Sequence, residues 1–114
     1  NELPMVTPTT PIKDVIIEIS KKRLGTTAVI DNSKIVGIIT DGDLRRMLKD
    51  TPDISKLVAE DIMSKKPKTI AADAMAIQAL KTMESNNISQ ILVEDGTEYV
   101  GVVHLHDLLK EGIF

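Results

Sequence analysis

The chain has 114 residues, 42% apolar and 27% charged, with a formal net charge of −3, which is the balance of a soluble globular protein, neither disordered nor membrane-spanning. The acidic balance argues against nucleic-acid binding, because that affinity comes from clustered Lys and Arg releasing counterions, and a single Tyr and a single Phe give no platform for stacking bases. Absence of cysteine excludes disulfide and thiolate chemistry, and with no 18-residue apolar run and no charged-then-apolar leader the expected location is the cytoplasm, away from membranes.

Leu3-Pro4-Met5-Val6-Thr7-Pro8 is extended by its prolines and holds a first short strand at Met5-Val6. Thr10 and Pro11 predict an N-cap and first helical position, with the helix running to Leu24 and Gly25 as its C′ residue. Ile12, Val15, Ile16 and Ile19 mark the buried face of that helix at i, i+3, i+4, i+7. Thr26 to Ile30 is a β-branched strand, Asp31-Asn32-Ser33-Lys34 a turn, and Ile35 to Ile39 an antiparallel return interrupted by Gly37. A glycine there lets another backbone or a ligand come close. At Gly37-Ile38-Ile39-Thr40-Asp41-Gly42-Asp43-Leu44 the apolar run halts at a threonine and resumes as a helical pattern. Leu44, Met47 and Leu48 form its apolar face, Arg45, Arg46 and Lys49 its exposed one, and Asp50-Thr51-Pro52-Asp53 ends it. Ser55 to Met63 is a partly helical connector, followed by the basic Lys65-Lys66-Pro67-Lys68.

The same grammar then returns 64 residues on. Gly101-Val102-Val103-His104-Leu105-His106-Asp107-Leu108 repeats the glycine, aspartate and leucine of the first motif in place, and Val29, Asp31 and Val36 fall on Val93, Asp95 and Val100. The helix face maps onto Ala76, Ala79, Leu80 and Met83, and Met5-Val6 onto Thr69-Ile70. Asp73 is placed to cap the second long helix, which ends near Ser85-Asn86-Asn87. Gln90-Ile91-Leu92-Val93 is the matching strand, Glu94-Asp95-Gly96-Thr97 the turn, and Asp107 to Lys110 opens a last helix stopped at Gly112. Two copies of about 50 residues each bury a thin core, so each is expected to complete the other's.

These motifs resemble the cystathionine-β-synthase (CBS) domain, whose pattern is apolar-Gly-apolar-apolar-Thr-x-x-Asp-Leu after helix, strand, turn and strand, and which normally occurs as such a pair. The implied fold is α/β (α+β): two β-α-β-β-α CBS repeats related by a pseudo-twofold axis, repeat 1 at 1–54 with a truncated N-terminus and repeat 2 at 55–114. Asp61-Ile62-Met63-Ser64 is similar to the helical turn that opens a CBS unit. More narrowly, Thr40-Asp41-Gly42-Asp43-Leu44-Arg45-Arg46 and Gly101 to Leu109 resemble the C-terminal CBS pair of bacterial D-arabinose-5-phosphate isomerases. That likeness implies a regulatory fragment without catalytic residues, an upstream sugar-isomerase domain in an enzymatic parent, a role in 3-deoxy-manno-octulosonate (Kdo) and lipopolysaccharide or capsule synthesis, and a homodimer.

Thr40 with Asp43 has two readings. The pair is close to a capping box, which is structural. The same turn can also offer N–H groups and the Thr40 hydroxyl to a phosphate while Asp43 accepts from ribose hydroxyls. The family uses these positions for adenosine nucleotides, and carried over it implies Val6, Thr26, Thr27, Thr40, Asp43, Ile70, Gln90, His104 and Asp107 as ligand-binding residues. The ligand would be AMP, ATP or the nucleotide sugar CMP-Kdo, held in a cleft between the repeats. His104 departs from the pattern, standing where a Ser or Thr normally meets phosphate. Two histidines without cysteine fall short of a four-ligand zinc site, and no serine accompanies His104, His106 and Asp107 to make a triad. Lys65-Lys66-Pro67-Lys68 is a solvated loop or a contact for a ligand phosphate. Two alternatives stay open: a structural oligomerisation module without ligand, and a sensor from an unrelated CBS protein.

Overall fold

The computed structural model describes residues 3–110 and 112 and divides the chain into two compact units, Asn1–Pro67 and Lys68–Phe114. Among the described residues there are two small sheets and five helices. The first unit runs β1 (Met5–Val6), α1 (Ile12–Lys22), β2 (Thr26–Asp31), β3 (Lys34–Thr40), α2 (Asp41–Asp50), α3 (Ala59–Ile62) and β4 (Ser64–Lys65). Its sheet has the order β1-β2-β3-β4, with β1 parallel to β2 and the other pairs antiparallel. The second unit runs β5 (Thr69–Ala71), α4 (Ala76–Asn86), β6 (Gln90–Asp95), β7 (Glu98–His104) and α5 (Leu105–Lys110), with the order β5-β6-β7. Both units therefore contain the expected β-α-β-β-α run.

The 64-residue offset is kept to the residue. The helices α1 and α4, both of 11 residues, begin 64 apart, as do β2 and β6, and β3 and β7. Even an irregularity is repeated: the ladder shifts register between Val29 and Ile30, and again between Val93 and Glu94. Both long helices end on a left-handed residue, Arg23 and Asn87.

In the first unit, Ile12, Val15 and Ile19 of α1 pack with Val6, Val29, Ile39, Leu44 and Met47, all buried. The expected helical period is thus the face that the sheet covers, since burial of such side chains drives the helix onto it. Ala59 of α3 belongs to the same cluster, and Leu57, Ile62 and Met63 pack against it. This is why residues 55–67, which belong to the second repeat by sequence, belong to the first unit by packing.

Several local expectations are corrected. Thr10 is not the cap of α1: Pro11 holds that position with ψ 146, and the Thr10 hydroxyl accepts from Thr7 N–H at 2.9 Å instead. That helix ends at Lys22 and not Leu24, because Arg23 takes the left-handed turn two residues before Gly25. Asp73 does not cap α4; Met75 is the N-cap, and its N–H donates to Gln78 Oε1 at 2.9 Å. Leu48, expected on the apolar face of α2, is 56% exposed, since only Leu44 and Met47 turn inward. The turn expected at 61–64 is helical at Ala59–Ile62, its Val58 N–H bound by Asp61 Oδ2, and α5 starts at Leu105 rather than Asp107.

Gly37 is where a close approach is needed, and the neighbour is protein. A Cβ built there would lie 2.5 Å from Met63 Sδ and 3.1 Å from Met63 Cβ, whereas at Gly101 the nearest atom is Val93 Cβ at 3.7 Å. Gly37→Val is therefore expected to destabilise by about 1–3 kcal/mol through overpacking, and Gly101→Val to be nearly neutral. Thermal melts of the two variants measure the contrast.

A second expectation concerns Glu18, whose Oε2 accepts from Lys22 Nζ at 2.7 Å and from Met5 N–H at 3.2 Å, tying α1 to β1. Desolvation pushes this carboxyl up, but the bonds from Lys22 and Met5 and the charges of Lys22 and Lys21 outweigh it and hold it below its ordinary value. A depressed folded pKa gives stability that is present above the unfolded value, about 4.3, and is lost as pH falls through the folded one. Glu18→Gln should thus lower Tm at pH 7 and flatten its fall below about pH 4.3, as melts across pH would read.

Candidate nucleotide-binding turns

Each unit presents the same end of its sheet to the same kind of turn. In the first, Thr26 opens β2 opposite Thr40, the last residue of β3, and α2 starts immediately after. Thr40 is the N-cap, extended at φ −110 and ψ 167. Its Oγ1 accepts from Asp43 N–H at 3.2 Å, and Asp43 Oδ2 accepts from Thr40 N–H at 2.9 Å. The capping box read from the sequence is formed. The other carboxylate oxygen, Asp43 Oδ1, accepts from Arg46, one turn along α2.

The hydrogen-bond accounting limits what this turn can offer. Asp41 N–H donates to Gly25 O at 3.0 Å and Asp43 N–H to Thr40, so that, among the described residues, the N–H of Gly42 and the hydroxyl proton of Thr40 remain for an incoming acceptor. Arg46 stands beside them: a Cβ on Gly42 would lie 3.4 Å from a guanidinium nitrogen and 3.6 Å from Thr40 Oγ1. A cation, a hydroxyl and an N–H at a helix N-terminus form an anion-receptive arrangement. Arg46 was missed as a site residue and counted only as exposed; its spacing of three from Asp43 was the signal, since i, i+3 acid–base pairs meet on a helix.

The remaining candidates of this unit are placed differently. Thr26 Oγ1 donates to Ile39 O at 3.0 Å, and Thr27 Oγ1 to Ala28 O at 3.2 Å, both fully buried, so these hydroxyls are committed to the backbone. Val6 pairs with Val29 within the buried cluster. The turn brings Thr26, Thr40 and Asp43 to one end of the sheet and leaves Val6 in the core.

The second unit repeats the geometry with other chemistry. Gln90 is the register partner of His104, as Thr26 is of Thr40. His104 Nδ1 accepts from His106 N–H at 3.1 Å, so the imidazole does locally what the Thr40 hydroxyl does. Asp107 is exposed, and among the described residues its carboxylate makes no side-chain hydrogen bond, in contrast to Asp43. Lys110 is exposed at the offset of Arg46. Ile70 pairs with Val93 and lines an apolar cavity with Ala76, Ala79, Val103 and Leu108. The described residues contain no group of three His, Cys, Asp or Glu able to hold a metal ion. No described helix is long and apolar enough to cross a membrane.

Two successive β-α-β-β-α units, each ending in a capped strand-to-helix turn, define a tandem α/β repeat. The CBS-domain family profile matches residues 1–50 and 58–113, and the chain belongs to the CBS family. Among curated proteins it is 43% identical over 111 residues to arabinose 5-phosphate isomerase KdsD of Francisella tularensis, covering 96% of this chain and 34% of that protein. It is 38% identical over 114 residues to KdsD of Escherichia coli K12, covering 99% and 35%. The chain thus spans about a third of the length of the curated relatives it matches. Among solved structures, the CBS domain protein of Pyrobaculum aerophilum complexed with AMP has a TM-score of 0.86 at 23% identity, covering 95% of this chain and 84% of that one. The CBS domain pair of MJ0100, in complex with 5′-methylthioadenosine and S-adenosyl-L-methionine, has a TM-score of 0.84 at 25% identity, covering 100% and 93%.

Proposed function

We propose that this chain is the regulatory, nucleotide-binding portion of an arabinose 5-phosphate isomerase, without catalytic residues of its own, serving Kdo and hence lipopolysaccharide or capsule synthesis in the cytoplasm. The observation that carries the reading is the 38–43% identity to KdsD proteins over 96–99% of the chain. The adenosine ligands of the two CBS relatives described above support the nucleotide part, and the hydroxyl, N–H and guanidinium at the Thr40 turn supply chemistry for a phosphate. The ligand is AMP, ATP or CMP-Kdo, with Asp43 and Asp107 as the ribose acceptors of the two turns. Calorimetric titration with these three compounds tests it: saturable heat from at least one is expected, and none from any would remove the nucleotide role.

A second reading is a structural module that binds no ligand. It is favoured by one observation, that both Asp43 oxygens already have protein partners. Either reading expects a homodimer, because Ile17, Leu48, Ile77 and Leu109 leave apolar surface on α1, α2, α4 and α5 for an isologous contact. Sedimentation at high micromolar concentration should give the dimer mass; a monomer alone would count against it.

A further inference from the structure

Both carboxylate oxygens of Asp43 are engaged, but their two partners are held with very different firmness. Oδ2 accepts from Thr40 N–H at 2.9 Å, and that amide is backbone at the end of β3, fixed by the capping box that starts α2. Oδ1 accepts from the Arg46 guanidinium. The Arg46 side chain is 70% exposed against 12% for Asp43, so the acid is sunk in the turn and the cation lies over it. An ion pair with so exposed a member stabilises little, because water competes for the cation and a long side chain must be held still. Of the two oxygens, Oδ1 is the one that can be released without opening the cap.

Arg46 has a short path to a different anion. A Cβ on Gly42 would lie 3.4 and 3.8 Å from its two terminal nitrogens and 3.6 Å from Thr40 Oγ1. A phosphate received by the Gly42 N–H and the Thr40 hydroxyl would therefore stand within reach of the guanidinium. The pairing with Asp43 is not a necessary result of the spacing. In the second turn Lys110 is exposed at the same offset, and among the described residues Asp107 makes no side-chain hydrogen bond.

We infer that Arg46 is a specificity-determining residue of the Thr40 turn, holding Asp43 Oδ1 and releasing it only to a ligand whose phosphate takes the guanidinium in exchange. This role rests on the nucleotide reading of the turn and sets its ligand class, phosphate-bearing nucleotides in preference to nucleosides. For a nucleotide the exchange is balanced. Oδ1 passes from Arg46 to a ribose hydroxyl, while the guanidinium passes from carboxylate to phosphate, where its planar fork can meet two oxygens at once. For a nucleoside the hydroxyl must displace a cation that is offered no new anion, so the ribose bond is gained against the loss of the ion pair.

Calorimetric titration of the wild type, Arg46→Gln and Arg46→Lys tests it, with each phosphate-bearing ligand set against its nucleoside: AMP and ATP against adenosine, CMP-Kdo against cytidine. Arg46→Gln should weaken the nucleotide at least about tenfold. The nucleoside should hold or tighten, by no more than about fivefold, since the pair that guarded Asp43 stabilises little. Arg46→Lys keeps the charge without the fork and should lose less nucleotide affinity than Arg46→Gln. The cap bonds between Thr40 and Asp43 do not involve Arg46, so thermal melts of both variants should lie close to that of the wild type. Nucleotide and nucleoside weakened in step, as loss of a merely structural support would give, would overturn the inference, as would an unchanged ratio between them in Arg46→Gln. Binding by the wild type with no change of ratio would sink this role alone, whereas no binding of any nucleotide by the wild type would sink the nucleotide reading and this role together.

Discussion

Residues 1–54 expressed alone are expected to show no cooperative thermal transition. The cut falls where the sequence repeat ends, but it strips the first unit of Ala59, fully buried, and of Leu57, Ile62 and Met63 packed on the same cluster. It also removes the three backbone bonds from Leu57, Ala59 and Glu60 to the start of α1 and the β4 pairing along β3. Losing one such core side chain typically costs about 2–5 kcal/mol when it leaves a cavity, against a total stability of about 5–15 kcal/mol for a domain. A chain this short buries too little to absorb several losses at once. Circular dichroism and calorimetry read the outcome, and a sharp, reversible transition would show that the repeat stands without residues 55–67. Residues 1–67 keep all of these contacts and should be visibly more ordered.

Asp43→Ala is expected to weaken nucleotide binding at least about tenfold, with Asp107→Ala costing less. A charge-assisted hydrogen bond to a ribose hydroxyl contributes about 1.5–3 kcal/mol, and 1.4 kcal/mol is a factor of ten. The Thr40 turn also has the uncharged hydroxyl and the nearby Arg46 guanidinium, whereas the second turn has spent His104 Nδ1 on His106 N–H. The same substitution opens the capping box, so about 1 kcal/mol of stability should go with it. Calorimetric titration beside thermal melts separates the two roles. Lower stability with unchanged or absent binding heats would leave Thr40 and Asp43 as a cap and nothing more.

Much of this was legible in the sequence because the repeat is local and periodic. The offset alone located ten of the elements, and the β-branched runs, the Asn32-Ser33 turn and the Thr40–Asp43 cap each follow from the chemistry of a few neighbouring residues. The helix starts were misread for a physical reason: Pro11 was taken as a first helical residue, but with ψ 146 it remains extended, and Asp73 stands too far from a helix that Gln78 caps from within. What no short window could reveal was the long-range part. That Leu57 to Lys65 packs on the first unit and that Leu48 faces outward are decided by tertiary packing. The committed hydroxyl of Thr26 is of the same kind, since its acceptor, the Ile39 carbonyl, is brought to it by the sheet.

The register shift shared by the two hairpins bears on how the chain avoids misfolding. In the first hairpin Asn32 and Ser33, both at positive φ, fix the pairing at the tip, Asp31 with Lys34. At the other end Thr26 faces Thr40, and the two alignments differ by one residue, absorbed as an extra residue at Val36. A strand that slides by one position turns every side chain to the opposite face, yet here sliding to straighten either half would undo the other. The bulge therefore works as a ratchet pawl, making a slipped, edge-exposed hairpin a poor competitor, and its recurrence at Val100 gives the second hairpin the same protection.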